Sequence, residues 1–333
     1  MASQPRAGRK TASRPCAGKG PLVRGEIALR TEGLSRRFGA VTAVDGLTLS
    51  VQAGELFGLV GPDGAGKTST LRMLAGVMRP SAGDALILGT SVARDPEGVK
   101  HRIAYMSQRF GLYADLTVLE NLHFYADLYQ VPRGERPARL ERLFHFSQLE
   151  PFQDRLAGRL SGGMKQKLGL SCALIHEPEL MLLDEPTFGV DPVSRRDLWL
   201  IVHERVARGV TAVVSTAYMD EAERFDRIAF LHKGRLLAVD EPAALKRGLD
   251  GEILALRAAD LRAARALLLR EGLVSDAAVF GDALHLFVGS AAVAGPKIQS
   301  ALAVAGIGDG QLESVPPSLE DVFIALVRQA EAA

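Results

Sequence analysis

The stretch LVGPDGAGKTST, residues 59–70, places an apolar run, a glycine-rich loop and a helical run in direct succession. Glycines in such a loop let consecutive backbone N–H groups curl around phosphate oxygens, and the following helix adds the positive end of its dipole. Lys67 is placed to reach the β- and γ-phosphates, and the Thr68 hydroxyl can coordinate Mg²⁺. The stretch therefore predicts a P-loop for a nucleoside triphosphate. The predicted nucleotide-binding residues are Gly61, Pro62, Asp63, Gly64, Ala65, Gly66, Lys67, Thr68 and Ser69.

From residue 27 to about residue 240, short β-rich runs alternate with helical runs. The runs LMLL and TAVV are apolar without alternation, which is typical of parallel strands covered on both faces. This order predicts an α/β layered domain. Between residues 116 and 160 the pattern is helical, and Thr117 with Glu120 predicts a capping box. The pair Lys233-Gly234 predicts a hairpin turn.

The C-terminal part of the chain differs in composition, since Ala and Leu dominate beyond about residue 248. Its runs predict the order βαββαβ and then a helix capped by Ser318, which indicates a small ferredoxin-like α+β appendage. The predicted organisation is a basic disordered tail at 1–25, a nucleotide-binding domain at 26–248 with a helical subdomain at about 112–160, and the appendage at 249–333.

Charge and composition exclude some classes of function. A net charge of +1 gives no electrostatic argument for nucleic acid, so no nucleic-acid partner is expected. No window approaches the roughly 18 uninterrupted apolar residues that a spanning helix needs, so a membrane role would require another chain. The two cysteines, Cys16 and Cys172, show neither a disulfide framework nor metal spacing, which favours a reducing, cytosolic compartment.

The first 25 residues are basic and have no continuous apolar core for a secretory signal. Two interpretations stay open: a solvated disordered tail, or a segment that adheres to an anionic membrane surface. The basic residues are Arg6, Arg9, Lys10, Arg14, Lys19 and Arg24.

Two further motifs carry chemistry. In ELMLLDEP, an apolar strand ends at Asp184, which puts a carboxylate at the sheet edge where open α/β sheets bind ligands. Asp184 is predicted to hold a metal ion through water, and Glu185 to polarise the attacking water. Capping of the next segment is the alternative for these acids. In LSGGMKQ, Ser161 and Gly163 open a helix and offer groups to an anion, although an ordinary helix cap is the alternative.

The glycine loop, the glutamine of YMSQRF, LSGGMKQ, LLDEP, GVD and STAYMDEAE follow one another as in the ATP-binding cassette (ABC) ATPases, which the chain resembles over about residues 27–245. The variants GPDGAGKT and PPSLEDVFIAL are similar to the subclass that serves multidrug-type and other ABC-2 exporters. The resemblance implies a P-loop NTPase cassette, in which a RecA-like α/β core carries an antiparallel β subdomain and a helical subdomain.

The resemblance also implies what such a chain binds and where it works. It implies ATP and Mg²⁺ as cofactors, and ATP hydrolysis coupled to transmembrane transport. Its implied partners are a separate ABC-2 type transmembrane permease and a second cassette, on the cytoplasmic face of the inner (plasma) membrane.

Further residue roles come from the resemblance alone. Phe38 matches the aromatic residue that stacks on adenine, with a core phenylalanine as the alternative. Gln108 matches the Q-loop glutamine that contacts Mg²⁺ and the attacking water. Ser161 and Gly163 match the signature that closes on the γ-phosphate held by the opposite subunit, and Asp191 matches the D-loop aspartate at the dimer seam. Each site would then be built from two chains.

Three positions depart from the family's pattern. Met164 stands where glutamine is commonest, a change that is usual in the subclass, and Phe188 stands where serine or alanine is commoner. Ala217, in STAYMDEAE, occupies the place of the switch histidine that hydrogen-bonds the γ-phosphate and positions the water. A methyl group can do neither, and losing one preorganised group typically costs on the order of 100- to 1000-fold in rate, about 3 kcal/mol.

Ala217 therefore predicts slow hydrolysis at the chain's own site and favours a heterodimer with a histidine-bearing cassette. His176, His203 and His232 lie outside the motif and are no evident substitutes. One alternative is that Glu185 suffices as base. A second alternative is a nucleotide-binding regulatory subunit with negligible turnover. A third, a soluble cassette acting on ribosomes or DNA, is disfavoured because the chain has one cassette and no long heptad run.

Overall fold

The computed structural model describes residues 25–108, 111–307 and 310–332. The predicted basic tail lies outside the described residues, apart from Gly25. The strands are β1 (Ile27–Phe38), β2 (Val41–Gln52), β3 (Leu56–Val60), β4 (Ala82–Ile87), β5 (Thr90–Ser91), β6 (Ile103–Met106), β7 (Leu180–Asp184), β8 (Thr211–Thr216), β9 (Arg227–His232), β10 (Arg235–Asp240), β11 (Glu252–Arg257), β12 (Asp276–Phe280), β13 (Ala283–Val288) and β14 (Gln311–Val315).

Helices connect most of these strands. They are α1 (Lys67–Leu74), α2 (Pro96–Lys100), α3 (Val118–Leu128), α4 (Arg136–Ser147), α5 (Gly162–Leu174), α6 (Pro192–Ala207), α7 (Met219–Ala222), α8 (Pro242–Arg247), α9 (Leu261–Arg270), α10 (Ala291–Val304) and α11 (Leu319–Ala332). In the part of the chain that the structure describes, none of them is long and apolar enough to cross a bilayer.

The central sheet has six strands in the order β10-β9-β3-β8-β7-β6. Strands β3, β6, β7, β8 and β9 run parallel, and β10 pairs antiparallel with β9. Every residue of β3, β7 and β8 is buried, as expected for parallel strands covered on both faces. The predicted α/β class is confirmed. The carboxyl ends of β3, β7 and β8 meet at one edge of the sheet, where an open α/β sheet binds ligands.

A second, antiparallel sheet has the order β2-β1-β4-β5. Its inner face packs with α1 and one face of the central sheet in a shared core that includes Leu29, Val51, Leu71 and Leu182. Because α1 follows the glycine loop directly, this core fixes the loop relative to β3 and to the first hairpin, β1–β2.

Helices α3 and α4 lie between β6 and β7 and pack on α5. The predicted capping box at the start of α3 is confirmed: the Glu120 amide donates to the Thr117 hydroxyl over 3.1 Å, and the Thr117 amide donates to the Glu120 carboxylate over 2.8 Å. Two orphan donors at the helix start are thereby satisfied.

The C-terminal sheet is antiparallel in the order β12-β13-β11-β14, with α9 and α10 in the connections. It has a core of its own, which includes Leu256, Leu268 and Leu286. The observed order of elements, βαββαβ, is that of a ferredoxin-like unit. The final helix, α11, instead buries Leu319 and Val322 in the core of the central sheet.

Candidate functional site

The glycine loop lies between β3 and α1, and its backbone needs glycine. Gly66 has a φ of 100°, and a Cβ there would lie 2.4 Å from the carbonyl oxygen of Ala43. A Cβ on Gly61 would lie 2.2 Å from the carbonyl oxygen of Leu231. Only glycine therefore fits these two positions, and the loop can approach a ligand with backbone alone.

Lys67, the first residue of α1, connects this loop to the end of β7. Its side chain is 4% exposed, and its Nζ donates to the carbonyl oxygens of Gly61 at 2.7 Å and Pro62 at 3.1 Å. The same Nζ lies 3.2 Å from Oε1 of Glu185. The loop thus carries a buried ammonium group whose partners are two backbone carbonyls and one carboxylate.

Asp184 ends β7 and is fully buried. Its Oδ1 accepts hydrogen bonds from the Thr68 hydroxyl at 2.9 Å and from the Ser215 hydroxyl at 2.7 Å. Its Oδ2 is buried and has no hydrogen-bond partner among the residues that the structure describes. A buried carboxylate oxygen normally has a partner, so this atom fits a site for a metal-bound water.

The donor set of this site suits Mg²⁺ bound partly by a nucleotide. Within residues 25–108, 111–307 and 310–332, no group of three or more His, Cys, Asp or Glu could hold a metal ion. Mg²⁺, however, commonly uses one or two carboxylates, waters and substrate phosphates instead of an all-protein cage. Asp184 and Thr68 provide that smaller set, and the glycine loop beside them provides the phosphate cradle.

Glu185 follows Asp184 with a left-handed backbone, at a φ of 48°. Its Oε1 pairs with Lys67, and its Oε2 accepts a hydrogen bond of 2.9 Å from Nε2 of Gln108. A non-glycine residue in this conformation carries about 1–3 kcal/mol of strain, which persists only where the surroundings enforce it. Through its two carboxylate oxygens, Glu185 contacts both Lys67 and Gln108, so three predicted site residues lie together.

Ser215 is a site residue that the sequence analysis missed. It lies opposite Asp184 in the parallel pair of β7 and β8. Its hydroxyl donates to Asp184 Oδ1 and accepts from the Glu185 amide at 3.0 Å. The available signal was its place at the end of TAVVS, because parallel strands bring their carboxyl ends to the same sheet edge.

We expect Ser215→Ala to lower the free energy of unfolding by about 1–3 kcal/mol, because it removes a donor from a buried carboxylate. Urea denaturation measures this change. Ser171→Ala is the matched control, since the buried Ser171 hydroxyl donates to the Lys167 carbonyl of its own helix at 2.8 Å and contacts no carboxylate among the described residues. An equal loss in both variants would contradict a special role for Ser215.

One cavity of about 610 Å³ opens on the glycine loop, Gln108 and Glu185, whereas the buried Asp184 and Ser215 are not among its lining residues. Nine residues predicted from the sequence line it, and five unpredicted ones complete the wall. The predicted ones are Asp63, Gly64, Ala65, Gly66, Lys67, Thr68, Ser69, Gln108 and Glu185. The unpredicted ones are Val41, Thr42, Ala43, Phe188 and Lys233.

Phe38, expected to stack on adenine, is not among the lining residues. It ends β1 opposite Val41, is 45% exposed, and carries the Arg36 guanidinium 4.5 Å from its ring centroid. The alternative of a core phenylalanine does not hold, because the ring is not buried, and stacking on adenine stays a prediction. The hairpin contributes Val41, Thr42 and Ala43 to the cavity instead.

Ser161, Gly163 and Asp191 lie outside the cavity, at the starts of α5 and α6. The Ser161 hydroxyl caps α5 by accepting from the Met164 amide at 3.3 Å. A Cβ on Gly163 would lie 2.3 Å from the Ser194 hydroxyl oxygen, so the two helix starts pack closely. Asp191 caps α6 by accepting from the Ser194 amide at 2.9 Å, and this hydrogen bond lowers the pKa of Asp191.

Ala217 is exposed just beyond β8 and is not among the lining residues. The stretch around it is fastened through the buried carboxylate of Glu221. Thr216 donates to Glu221 Oε2 at 2.7 Å, and Thr187 donates to Oε1 at 2.6 Å. The Tyr218 amide donates to the Thr216 hydroxyl at 3.0 Å. The stretch STAYMDEAE is thereby hydrogen-bonded, through Glu221, to Thr187 in the segment that follows Glu185.

Known proteins resemble the chain along most of its length. A family model described as "ABC transporter" matches residues 44–188. The "Probable multidrug ABC transporter ATP-binding protein YbhF" of Escherichia coli (strain K12) is 41% identical over 307 residues, which are 91% of this chain and 52% of that protein. The chain thus spans about half the length of YbhF.

Other relatives match more completely. The "Nod factor export ATP-binding protein I" of Ralstonia nicotianae is 33% identical over 92% of this chain and 96% of its own length. A solved "Structure of ATP binding subunit of ABC transporter" aligns with a TM-score of 0.62 at 33% identity and covers 66% of this chain and 92% of its own. The chain belongs to the ATP-binding cassette family of transporter ATPases.

Proposed function

We propose that this chain hydrolyses Mg-ATP in the cavity at the carboxyl ends of β3, β7 and β8, and so powers a separate ABC-2 type permease that exports drugs or other lipophilic compounds. The contact of Lys67, Gln108 and Glu185 at one wall of that cavity carries the proposal. The names of relatives support export: YbhF is a probable multidrug protein, and DrrA of Streptomyces peucetius, 38% identical over 70% of this chain, is a daunorubicin/doxorubicin resistance protein.

In this proposal the residues of the cavity have separate tasks. The glycine loop and Lys67 bind the phosphates, and Thr68, Gln108 and Asp184 hold Mg²⁺, which neutralises the phosphate oxygens when it is bound. Glu185 takes a proton from the attacking water, and the Lys67 and Gln108 contacts orient its two oxygens. The support for the metal role is the unpartnered Oδ2 of Asp184.

We further propose that Ser161, Gly163 and Asp191 act on the nucleotide of a second cassette, at the cytoplasmic face of the membrane. Their place outside the chain's own cavity supports this division. A chain built in this way needs a partner to complete each site. We propose a heterodimer with a histidine-bearing cassette, because a homodimer would have two sites without the switch histidine.

Ala217 gives the test of this proposal. We expect the purified chain to hydrolyse ATP at a rate near that of its Glu185→Gln variant. We expect Ala217→His to raise the rate tenfold or more, equivalent to at least about 1.4 kcal/mol of barrier. Ala217, just beyond the end of β8, is exposed, so an imidazole side chain can be accommodated at this position. Steady-state Mg-ATPase assays measure the three rates.

Two outcomes would change the proposal. A fast wild type that histidine does not accelerate would contradict the asymmetric pair. No turnover in either protein, with intact ATP binding, would favour the alternative of a nucleotide-binding regulatory subunit. Ala217 is the observation that favours this alternative, whereas the presence of Lys67, Thr68 and Glu185 argues against it.

A further inference from the structure

Helix α11 returns from the C-terminal sheet to the cassette and is held there firmly. Leu319 and Val322 are buried in the core of the central sheet, and the Phe323 ring lies 5.3 Å from the Phe230 ring on β9, measured between centroids. The helix also contacts the appendage, since Asp321 accepts from Nδ1 of His285 over 2.9 Å. A change at the far end of α11 can therefore be transmitted to both units.

The far end of α11 meets the turn between β9 and β10. Nζ of Lys233 lies 2.6 Å from Oε1 of Glu331, and Nε2 of His232 lies 3.7 Å from the same oxygen. The hydrogen bond from Lys233, with its positive charge, lowers the pKa of Glu331. Glu331 is thus an ionised partner of Lys233.

The same turn is attached to the glycine loop. Lys233 and Gly234 both have positive φ, at 46° and 80°, as in the turn predicted from the sequence. The Gly234 amide donates to the carbonyl oxygen of Ala65 at 3.1 Å, and its carbonyl accepts from the Asp45 amide at 2.8 Å. Lys233 is therefore held beside the loop and lines the cavity.

The Lys233 ammonium has two possible anionic partners, the Glu331 carboxylate and the phosphates of a bound nucleotide. Its side chain is 70% exposed and flexible, so it can swing from Glu331 toward phosphates bound by the adjacent loop. An exposed ion pair is weak, so the Glu331 contact can be displaced by a stronger anion. A triphosphate carries more charge than one carboxylate and is the stronger competitor.

We propose that Lys233 is an additional phosphate contact of the nucleotide cavity and that Glu331 of α11 competes with the nucleotide for it. The C-terminal helix thereby senses whether the cavity is filled. This inference rests on the proposed function, since it requires that the cavity bind ATP. Reciprocity follows from linkage: if the Glu331 contact weakens ATP binding, ATP must weaken the pairing of Glu331 with Lys233 by the same free energy.

The test is a double-mutant cycle on nucleotide affinity. A fluorescent ATP analogue is titrated at low salt into the full chain, Glu331→Gln, Lys233→Gln and the double variant. We expect Glu331→Gln to tighten binding three- to tenfold, Lys233→Gln to weaken it several-fold, and the double variant to behave like Lys233→Gln. Raising the salt to 0.5 M should shrink the first two effects, and adenosine, which lacks phosphates, should show none.

Asp45→Asn is the matched control, because Asp45 on β2 pairs with Arg235 on β10 at 3.1 Å and neither residue lines the cavity. Two results would overturn the proposal that Glu331 competes with the nucleotide for Lys233. One is an equal gain in nucleotide affinity in Asp45→Asn, and the other is a gain from Glu331→Gln that persists in the Lys233→Gln background. Hydrogen exchange over residues 326–332 should also accelerate when ATP is added to the wild type but not to Lys233→Gln. A wild type that binds no ATP would instead refute the proposed function itself.

Discussion

In the Ala217→His background, Glu185→Gln is expected to lower steady-state ATP hydrolysis by about 100- to 10,000-fold while ATP binding is retained. A positioned general base contributes about this much, and glutamine cannot accept the proton. The substitution conserves the volume of the side chain, whose two oxygens contact Lys67 and Gln108. The measurement compares the turnover rate and the ATP dissociation constant of the double variant Ala217→His, Glu185→Gln with those of Ala217→His alone. The Ala217→His background is used because its expected turnover rate is high enough for a decrease to be measured.

Glu179→Gln is the control for that experiment. Glu179 pairs with Arg102 at 2.6 Å, at the opposite end of β7 from Asp184. Its substitution should leave the turnover rate within about twofold, because neither Glu179 nor Arg102 lines the cavity. Unchanged turnover in Glu185→Gln would show that another group takes the proton, and the proposed role of Glu185 would have to be abandoned.

Lys67→Ala is expected to weaken ATP binding by about 10- to 100-fold, since a charge-assisted hydrogen bond contributes about 1.5–3 kcal/mol. The loss should be larger for ATP than for ADP or AMP, because the ammonium is placed to reach the terminal phosphates. Isothermal titration with each nucleotide measures the three affinities.

Removal of Lys67 also leaves a carboxylate oxygen of Glu185 without its cation, so stability must be measured alongside affinity. Lys100→Ala, which breaks an exposed pair with Glu97, is the control for the loss of one positive charge. Normal ATP affinity in a folded Lys67→Ala protein would refute the assignment of the glycine loop to phosphate.

The parts of the site that the sequence could predict are those set by local chain geometry. A glycine loop between a strand and a helix fixes where Lys67 begins α1. An apolar strand that ends in Asp184 brings its carboxylate to the same sheet edge, because neighbouring strands run parallel. The α/β class followed from apolar runs without alternation, which are typical of parallel strands covered on both faces.

The parts that could not be predicted depend on contacts between distant segments. Lys233 reaches the cavity because its turn hydrogen-bonds to Ala65, and no local pattern encodes that contact. Phe38 was assigned by resemblance, yet its position depends on how the β1–β2 hairpin is oriented over the loop. Helix α11 follows the appendage in sequence but packs on the central sheet, which composition alone cannot reveal.

The left-handed backbone of Glu185 affects which substitutions at this position would stabilise the protein. Glycine would adopt that φ without strain, and asparagine at a lower cost than glutamate. Substitutions that relax the backbone at this position would therefore favour a sturdier fold and an inactive cavity. In the proposed mechanism, stability and hydrolysis therefore oppose each other at one residue, and selection for thermal robustness alone would tend to remove the carboxylate proposed as the base.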